Sequence, residues 1–375
     1  MTKQINTNIK ESHTFSSELI LLFAVLLLTG IGIVMVYSAS SALAMKQFGT
    51  DLYFVKKQLL FALIGIFMMF ACKYFPYRYY RRLTYPSVVL AFILLVAVQF
   101  SGIGYAAGGA QRWLSFGKFS FQPSEFARLV MIIYLAYSMD KKRNRIKEFS
   151  IGFLPHMIMM SGFICLIILQ PDFGSVVILG AITWLMLFIG GVRIFYLLST
   201  MALLLPIAYF FMISADYRTR RWLSFIDPWQ YRADEGYQIV HSLMAFGTGG
   251  IWGTGIGKGY QKLFYLPEPH TDFIFSVIGE ELGLIGVSAI IVLYAIILWK
   301  GICISKNSTD NYGALIAAGL TIAFGLEIFI NMGVSLGLMP PKGLPLPFIS
   351  YGGTSLLLSM ISVGILMNIG ASKSK

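Results

Sequence analysis

The chain has 375 residues, of which 57% are hydrophobic and only 12% charged, against roughly 25% charge in an ordinary soluble domain. With a mean hydropathy of +0.73, this excludes a soluble globular domain and predicts a polytopic membrane protein. The net charge of +12 is dispersed in short clusters between apolar runs, which argues against a nucleic-acid partner, and Cys72, Cys165 and Cys303 are too few and too scattered for a disulfide framework or a thiolate metal site.

The opening residues 1–18 are polar, which predicts a cytoplasmic tail and no cleaved signal peptide. A spanning helix needs about 20 apolar residues, and ten such runs follow in order: 19–43, 54–72, 83–100, 121–139, 150–169, 173–191, 194–213, 273–299, 312–333 and 350–371. The joins around the sixth rest on Gln170-Pro171-Asp172-Phe173-Gly174 and Gly190-Gly191-Val192-Arg193, where turn residues and charge interrupt an apolar stretch. The predicted fold class is an all-α polytopic membrane protein with ten transmembrane helices, forming one membrane domain over 1–375. With the N-terminus in the cytoplasm, the inner tails and loops carry sixteen Lys and Arg, among them Arg81, Arg82, Lys141, Lys142, Arg143, Arg145, Lys147, Lys3, Lys10, Lys373 and Lys375. The short outer loops carry six: Lys46, Lys56, Lys57, Arg112, Lys118 and Lys342. That asymmetry predicts both termini inside. The large loop 214–272, between the seventh and eighth helices, is then extracytoplasmic, as is 101–120. No GxxxxGK loop, HExxH pair or sizeable cytoplasmic domain occurs, which argues against an ATP-driven pump or an intramembrane zinc protease.

Charges inside apolar runs are costly and mark sites or paths. In the 101–120 loop, Gly108-Gly109-Ala110-Gln111-Arg112-Trp113 offers a guanidinium suited to phosphate and an indole suited to an apolar or sugar face. Pro123 opens the fourth run, and Glu125 and Arg128, at i and i+3, share a helix face. They read either as a self-neutralised ion pair or as an acid and a cation lining an outward-open cavity. Asp172 reads as a turn residue or as another wall of that cavity.

In the 214–272 loop, Arg218, Arg220, Arg221 and Arg232 accompany Trp222, Phe225, Trp229, Tyr231 and Tyr237. Ile239, Leu243 and Phe246 fall on one face and predict an amphipathic interfacial helix; the glycines from Gly247 to Gly259 predict a flexible crossing over the bundle. An aromatic anchor without a ligand is the plainer reading. At the loop's end, Asp272 alone would be a helix cap, worth about 1 kcal/mol, but Glu268 and His270 lie beside it, and Glu280 and Glu281 add two carboxylates within the eighth run. Glu327, in the ninth run, needs a partner that the sequence does not name. From Gly333 to Ser355, proline and glycine forbid a regular helix and predict a re-entrant outer element over 334–350.

These segments together resemble the signatures of the SEDS (shape, elongation, division and sporulation) family of bacterial cell-wall proteins: Gly109-Ala110-Gln111-Arg112-Trp113, Gln122-Pro123-Ser124-Glu125, Gln170-Pro171-Asp172-Phe173-Gly174, Leu266 to Glu281, and Leu344 to Ser355. Asp227-Pro228-Trp229 and Lys262-Leu263-Phe264-Tyr265-Leu266-Pro267-Glu268-Pro269 are more similar to the division and sporulation members than to the elongation member. The resemblance implies a peptidoglycan glycosyltransferase that polymerises lipid II on the outer face of the cytoplasmic membrane, at the division septum, with a class B penicillin-binding protein (a transpeptidase) and other division proteins as partners. It places the catalytic aspartate on Asp272, the functional loop tryptophan on Trp113, and the cavity acid and cation on Glu125 and Arg128. The family pattern has Lys where this chain has Arg128, which keeps a phosphate contact but removes a proton-transfer role.

The chemistry agrees with the residues. Making a β-1,4 bond from an α-linked donor requires a sugar hydroxyl to attack with inversion, so Asp272 is the expected general base. Arg112, Trp113, Glu125, Arg128, Asp172, Glu268, His270, Glu281 and Ser350 are the expected substrate-binding residues. A divalent cation, Mg2+ or Mn2+, with Asp272 as a ligand, is expected to help the diphosphate leave. Competing readings are a lipid II flippase, an elongation-type polymerase and a non-catalytic scaffold. The suspect residues crowd into the outer half, which favours catalysis over alternating access.

Overall fold

The computed structural model describes residues 2–100, 104–107, 110–116, 119–213, 216–234, 236–263 and 266–372. Gly108, Gly109, Lys118, Ser214, Phe264, Tyr265, Lys373 and Lys375, which entered the sequence reading, lie outside the described residues, as do the side chains of Lys3, Lys10, Arg218 and Arg221.

All ten apolar runs fold as helices, and two further helices lie between the seventh and eighth. In chain order they are α1 (Thr2–Phe48), α2 (Tyr53–Tyr74), α3 (Tyr80–Phe100), α4 (Pro123–Lys141), α5 (Leu154–Ile168), α6 (Phe173–Ile189), α7 (Ile194–Ile213), α8 (Asp216–Ile226), α9 (Tyr237–Gly249), α10 (Ile274–Lys306), α11 (Asn311–Ser335) and α12 (Gly353–Ala371). Seven apolar helical stretches, in α1, α2, α3, α5, α10, α11 and α12, are long and apolar enough to cross a membrane. α6 and the first part of α7 are apolar but shorter, and α4 carries Glu125, Arg128, Asp140 and Lys141. Pairing inside the protein explains how α4 tolerates them: Arg128 meets Glu125 and Glu327, and Asp140 meets Arg81. α4, α11 and α12 form the middle of the bundle, with 61% of the apolar window of α11 and 72% of that of α12 buried, against 22% for α2.

The all-α expectation is corrected by a three-stranded antiparallel sheet in the 101–120 loop: β1 (Gly104–Ala107), β2 (Ala110–Phe116) and β3 (Phe119–Phe121), in the order β1-β2-β3. Ala107 pairs with Ala110, Tyr105 with Trp113, and Phe116 with Phe119. The connections are two residues each, with the sequences Gly-Gly and Gly-Lys, which is the spacing a hairpin requires. The sheet carries Arg112 and Trp113 on its central strand.

The glycine-rich stretch is docked rather than flexible. α10 breaks at Gly283 (φ 63°, ψ −164°), a backbone conformation that glycine adopts without steric cost. The amides of Leu284 and Ile285 donate to the carbonyls of Gly250 and Ile251 at 2.9 and 3.3 Å, and those of Thr254 and Gly255 donate to Glu280 and Glu281 at 2.9 and 3.0 Å. Backbone groups freed by the break are thus satisfied by the loop, as irregular structure within a bundle demands. α9 sits on α10 in the same region, with Ile239, Val240, Ser242 and Ala245 buried and Phe246 against Phe275. It is a packed helix, not one resting on the interface alone. The segment after α11 runs irregularly over 336–352, with Leu346, Phe348 and Ile349 buried.

Contacts sort the helix ends into two groups. At one end Arg81 pairs with Asp140 (3.0 Å) and Asp310 (3.4 Å), and Lys73 with Glu18 (3.1 Å); Asn368 bonds the amide of Tyr77 and the carbonyl of Lys73. At the other end the β-sheet, the 170–172 turn, the 266–273 segment and the 336–352 segment meet.

Candidate active site

Asp272 stands at the entrance of α10, and two elements, α11 and the 336–352 segment, fix the backbone around it. Asn331 of α11 donates through Nδ2 to the carbonyls of Asp272 (2.9 Å) and Leu344 (2.6 Å). The Ser350 hydroxyl donates to the carbonyl of Thr271 (2.6 Å) and accepts from the amide of Leu346 (2.7 Å), and the amide of Tyr351 donates to the carbonyl of His270 (2.9 Å). Asp272 does not cap α10. The cap position is Phe273, and no side chain caps it. A Cβ on Gly343 would stand 2.7 Å from Asp272 Oδ2, so the glycine leaves room for the carboxylate.

Burial, reinforced by the nearby Glu268 carboxylate, pushes the Asp272 carboxyl up to about 7, against the opposing pull of the Arg112 guanidinium. That value suits a base working near neutral pH. Arg112 is held in place by the 170–172 turn: its Nε donates to the Gln170 carbonyl at 3.3 Å and its Nη2 to that of Pro171. Trp113, beside it on β2, is partly buried.

Deeper in the bundle, Arg128 lies between two carboxylates, 3.7 Å from Glu125 and in direct contact with Glu327. Glu327 thereby gains the partner that the sequence did not name. The three line a cleft among α4, α11 and α12 together with Ser359 and Ser362. Asp172 is both readings at once. It caps α6, accepting from the amide (3.3 Å) and hydroxyl (2.7 Å) of Ser175, and it ties α6 to α4 through Ser124 (3.3 Å) and Gln122 (3.4 Å). Its charge is within electrostatic reach of Arg128.

The structure therefore gathers Asp272, Glu268 and Arg112 at the mouth, with Glu125, Arg128 and Asp172 below, joined by the 170–172 turn. Three expected ligands go elsewhere. His270 is buried between Phe54 (4.5 Å) and Tyr351 (5.5 Å), and burial lowers its imidazole to about 4, so it packs as a neutral ring. Ser350 spends its hydroxyl on the backbone bonds that position Asp272. Glu281 accepts from Lys262 (2.5 Å), Ser38 (2.7 Å) and the amide of Gly257 (3.0 Å), and Glu280 from the amides of Tyr260 (2.7 Å) and Gln261 (3.2 Å). Those two carboxylates latch the glycine-rich loop to α1 and α10. The sequence reading missed Asn331; the signal was an asparagine four residues beyond Glu327 on one face of an apolar helix.

The expected divalent cation meets few protein ligands here. Among the described residues no group of three His, Cys, Asp or Glu converges. Asp272 with Glu268 makes a set of one or two carboxylates, the kind that holds Mg2+ together with substrate phosphates rather than in an all-protein cage.

The fold and site define a polytopic helical membrane protein with an acid and a cation at one mouth of the bundle. Residues 18–375 match the FtsW/RodA/SpoVE family, described as cell cycle protein, and the chain belongs to that family. It is 43% identical over 369 residues to the probable peptidoglycan glycosyltransferase FtsW of Geobacter metallireducens, covering 98% of each chain. It is 46% identical over 354 residues to the protein of that name from Trichlorobacter lovleyi, covering 94% of this chain and 93% of the relative. It is also 41% identical to stage V sporulation protein E of Bacillus subtilis, covering 94% and 97%. Among solved structures it is similar to a chain from work on the coordination of polymerization and crosslinking by a peptidoglycan synthase complex, with a TM-score of 0.78, 26% identity and 94% and 97% coverage. The fold is shared with the rod shape determining protein RodA of Thermus thermophilus, with a TM-score of 0.71, 24% identity and 95% and 97% coverage.

Proposed function

We infer that this protein is a peptidoglycan glycosyltransferase of the division and sporulation type, polymerising lipid II into β-1,4-linked glycan. The single observation that carries the mechanism is the Asp272 carboxylate, carried on a clamped backbone, not spent on capping α10, and raised toward neutrality beside Arg112. In the reaction the 4-hydroxyl of one saccharide attacks the anomeric carbon of another. The new C–O bond forms as the bond to the diphosphate breaks, the electron pair leaves with the polyprenyl diphosphate, and the hydroxyl proton passes to Asp272. Such a base contributes typically about 10²- to 10⁴-fold. Arg112 faces the charge that develops on the departing diphosphate, and Arg128 extends the positive lining inward. Asp272 and Glu268 would hold Mg2+ or Mn2+ jointly with the diphosphate, and the cation would neutralise part of its charge.

The ten-span arrangement, with both termini cytoplasmic and the site outside, is supported by the alternation of helix ends between the two poles and by the basic residues of the inner loops. A class B penicillin-binding protein is the proposed partner and the septal cytoplasmic membrane the proposed location, consistent with the division and sporulation names of the relatives. A flippase needs a path open to both faces, whereas the acid and cation groups crowd toward one mouth and the opposite pole carries the Arg81, Asp140 and Asp310 ion pairs instead.

The test is purified protein with labelled lipid II, with and without the transpeptidase, read as glycan ladders. The wild type should give polymer, and Asp272→Asn should unfold at the same temperature, bind lipid II and give none. An Asn variant that polymerises at the parental rate removes Asp272 from the chemistry.

A further inference from the structure

The inner pole holds a cavity that this reaction does not use. It has a volume of about 390 Å3 and is walled by Tyr85 of α3, by Tyr137, Ser138 and Lys141 of α4, and by Lys142 and Arg145 beyond it. Tyr85 and Tyr137 meet edge to face at 5.7 Å, and the Lys141 ammonium lies 5.9 Å from the Tyr137 ring centre. Among the described residues no carboxylate lines the cavity. Asp140, next in sequence, is turned to Arg81 (3.0 Å) and Asn311 (3.3 Å). Glu148 neutralises Arg145 alone, with both contacts at 2.8 Å. Two ammonium groups therefore face one space with no compensating acid among the described residues, and burial together with the charge of Lys141 holds Lys142 below the ordinary lysine range.

A ligand that completes this site has to bring negative charge and also cover aromatic surface. The cavity opens where the bundle enters lipid: α3 continues from Tyr85 to exposed Val89 and Ile93, and the chain beyond the cavity continues to exposed Leu154 and Ile158. A free inorganic anion would satisfy the lysines and leave the tyrosine wall and the adjoining apolar faces unused. A phospholipid with an anionic headgroup matches all three, and basic pockets at the cytoplasmic ends of helices are suited to such headgroups. We propose that this cavity binds the phosphate headgroup of an anionic phospholipid from the inner leaflet. The inner-leaflet source rests on the orientation proposed above.

The experiment is native mass spectrometry of the full-length protein in detergent, titrated with phosphatidylglycerol and phosphatidylcholine. The wild type should prefer phosphatidylglycerol, and Lys141→Gln with Lys142→Gln should cut that preference roughly tenfold or more without changing the melting temperature. The Lys141→Arg, Lys142→Arg pair should retain it, as should a control pair, Arg193→Gln with Lys306→Gln, that removes the same charge elsewhere. An equal loss in the control pair reduces the effect to diffuse surface charge and overturns the site. Displacement of the lipid by millimolar inorganic phosphate overturns the lipid source in favour of a soluble anion. Asn144→Cys in intact cells separates this proposal from the orientation on which it rests: labelling by an impermeant reagent refutes the orientation and the inner-leaflet source together. A protected cysteine with no phosphatidylglycerol preference refutes this site alone.

Discussion

A carboxylate at a helix entrance ordinarily accepts the first free amides of that helix, yet Phe273 occupies the cap position of α10 and the Asp272 carboxylate lies over Gly343 instead. With no cation on the carboxylate its proton leaves only as the pH rises through about 7, so the polymerisation rate should climb through that range and level off above it where Asp272 acts as the free base. The two charges acting on it have opposite signs, which makes the assignment checkable. Glu268→Gln removes a charge that raises the carboxyl and should move the acid limb of the pH–rate profile to lower pH. Arg112→Gln removes a charge that lowers it and should move the limb to higher pH, with a loss of rate as well. Shifts in one common direction, or none, would contradict the placement of both residues beside the base. Arg128 poses a different question, because it is partly buried between the buried carboxylates of Glu125 and Glu327. Breaking a buried pair by removing one partner costs about 3–5 kcal/mol, so Arg128→Ala should lower the melting temperature markedly, whereas Arg128→Lys should retain appreciable activity. The informative variant combines Arg128→Ala with Glu125→Gln and Glu327→Gln. Recovered stability without recovered polymer assigns the Glu125, Arg128 and Glu327 cluster to the reaction, and recovery of both assigns it to packing.

Among the elements, α11 and the 336–352 segment do for Asp272 what its own helix does not. Asn331 holds two carbonyls from two segments, and Ser350 holds a third. Asn331→Ala leaves buried carbonyls unpaired, a loss of about 1–3 kcal/mol, and should lower kcat together with stability. Gly343→Ala puts a methyl group against the carboxylate, so it should lower kcat with little change in melting temperature, since Gly343 itself is exposed. Steady-state kinetics and thermal unfolding on the two variants distinguish clamp from clearance. Full activity in Gly343→Ala would show that the carboxylate has room to move. The break in α10 at Gly283 serves a related purpose: it lets the glycine-rich loop hydrogen-bond into the helix, with Lys262 and Glu281 buried as its anchor.

At the scale of the whole molecule, the two poles differ in chemistry. One gathers Arg112, Glu268 and Asp272; the other carries the Arg81, Asp140 and Asp310 ion pairs. A cysteine at Gly259 should react with an impermeant thiol reagent in intact cells and one at Asn144 should not, and the reverse pattern would place the site in the cytoplasm. The ten helices were legible in the sequence because an apolar run of spanning length has few alternatives to a helix in lipid. The candidate base and its neighbours were legible because charges within or beside such runs are too costly to be incidental. The sheet was also written locally, in two-residue Gly-Gly and Gly-Lys joins, but the apolar context hid it. What only the tertiary structure decided were relations between distant segments: that Glu327 pairs with Arg128, that Asn331 and Ser350 hold the backbone around Asp272, that His270 turns to Phe54, and that Glu281 serves Lys262 and Ser38 rather than the site. The reason is physical. A sequence shows the cost of burying each polar group, because that cost belongs to the group itself, whereas the partner that offsets it is chosen by how helices far apart in the chain pack, and no local spacing records that choice.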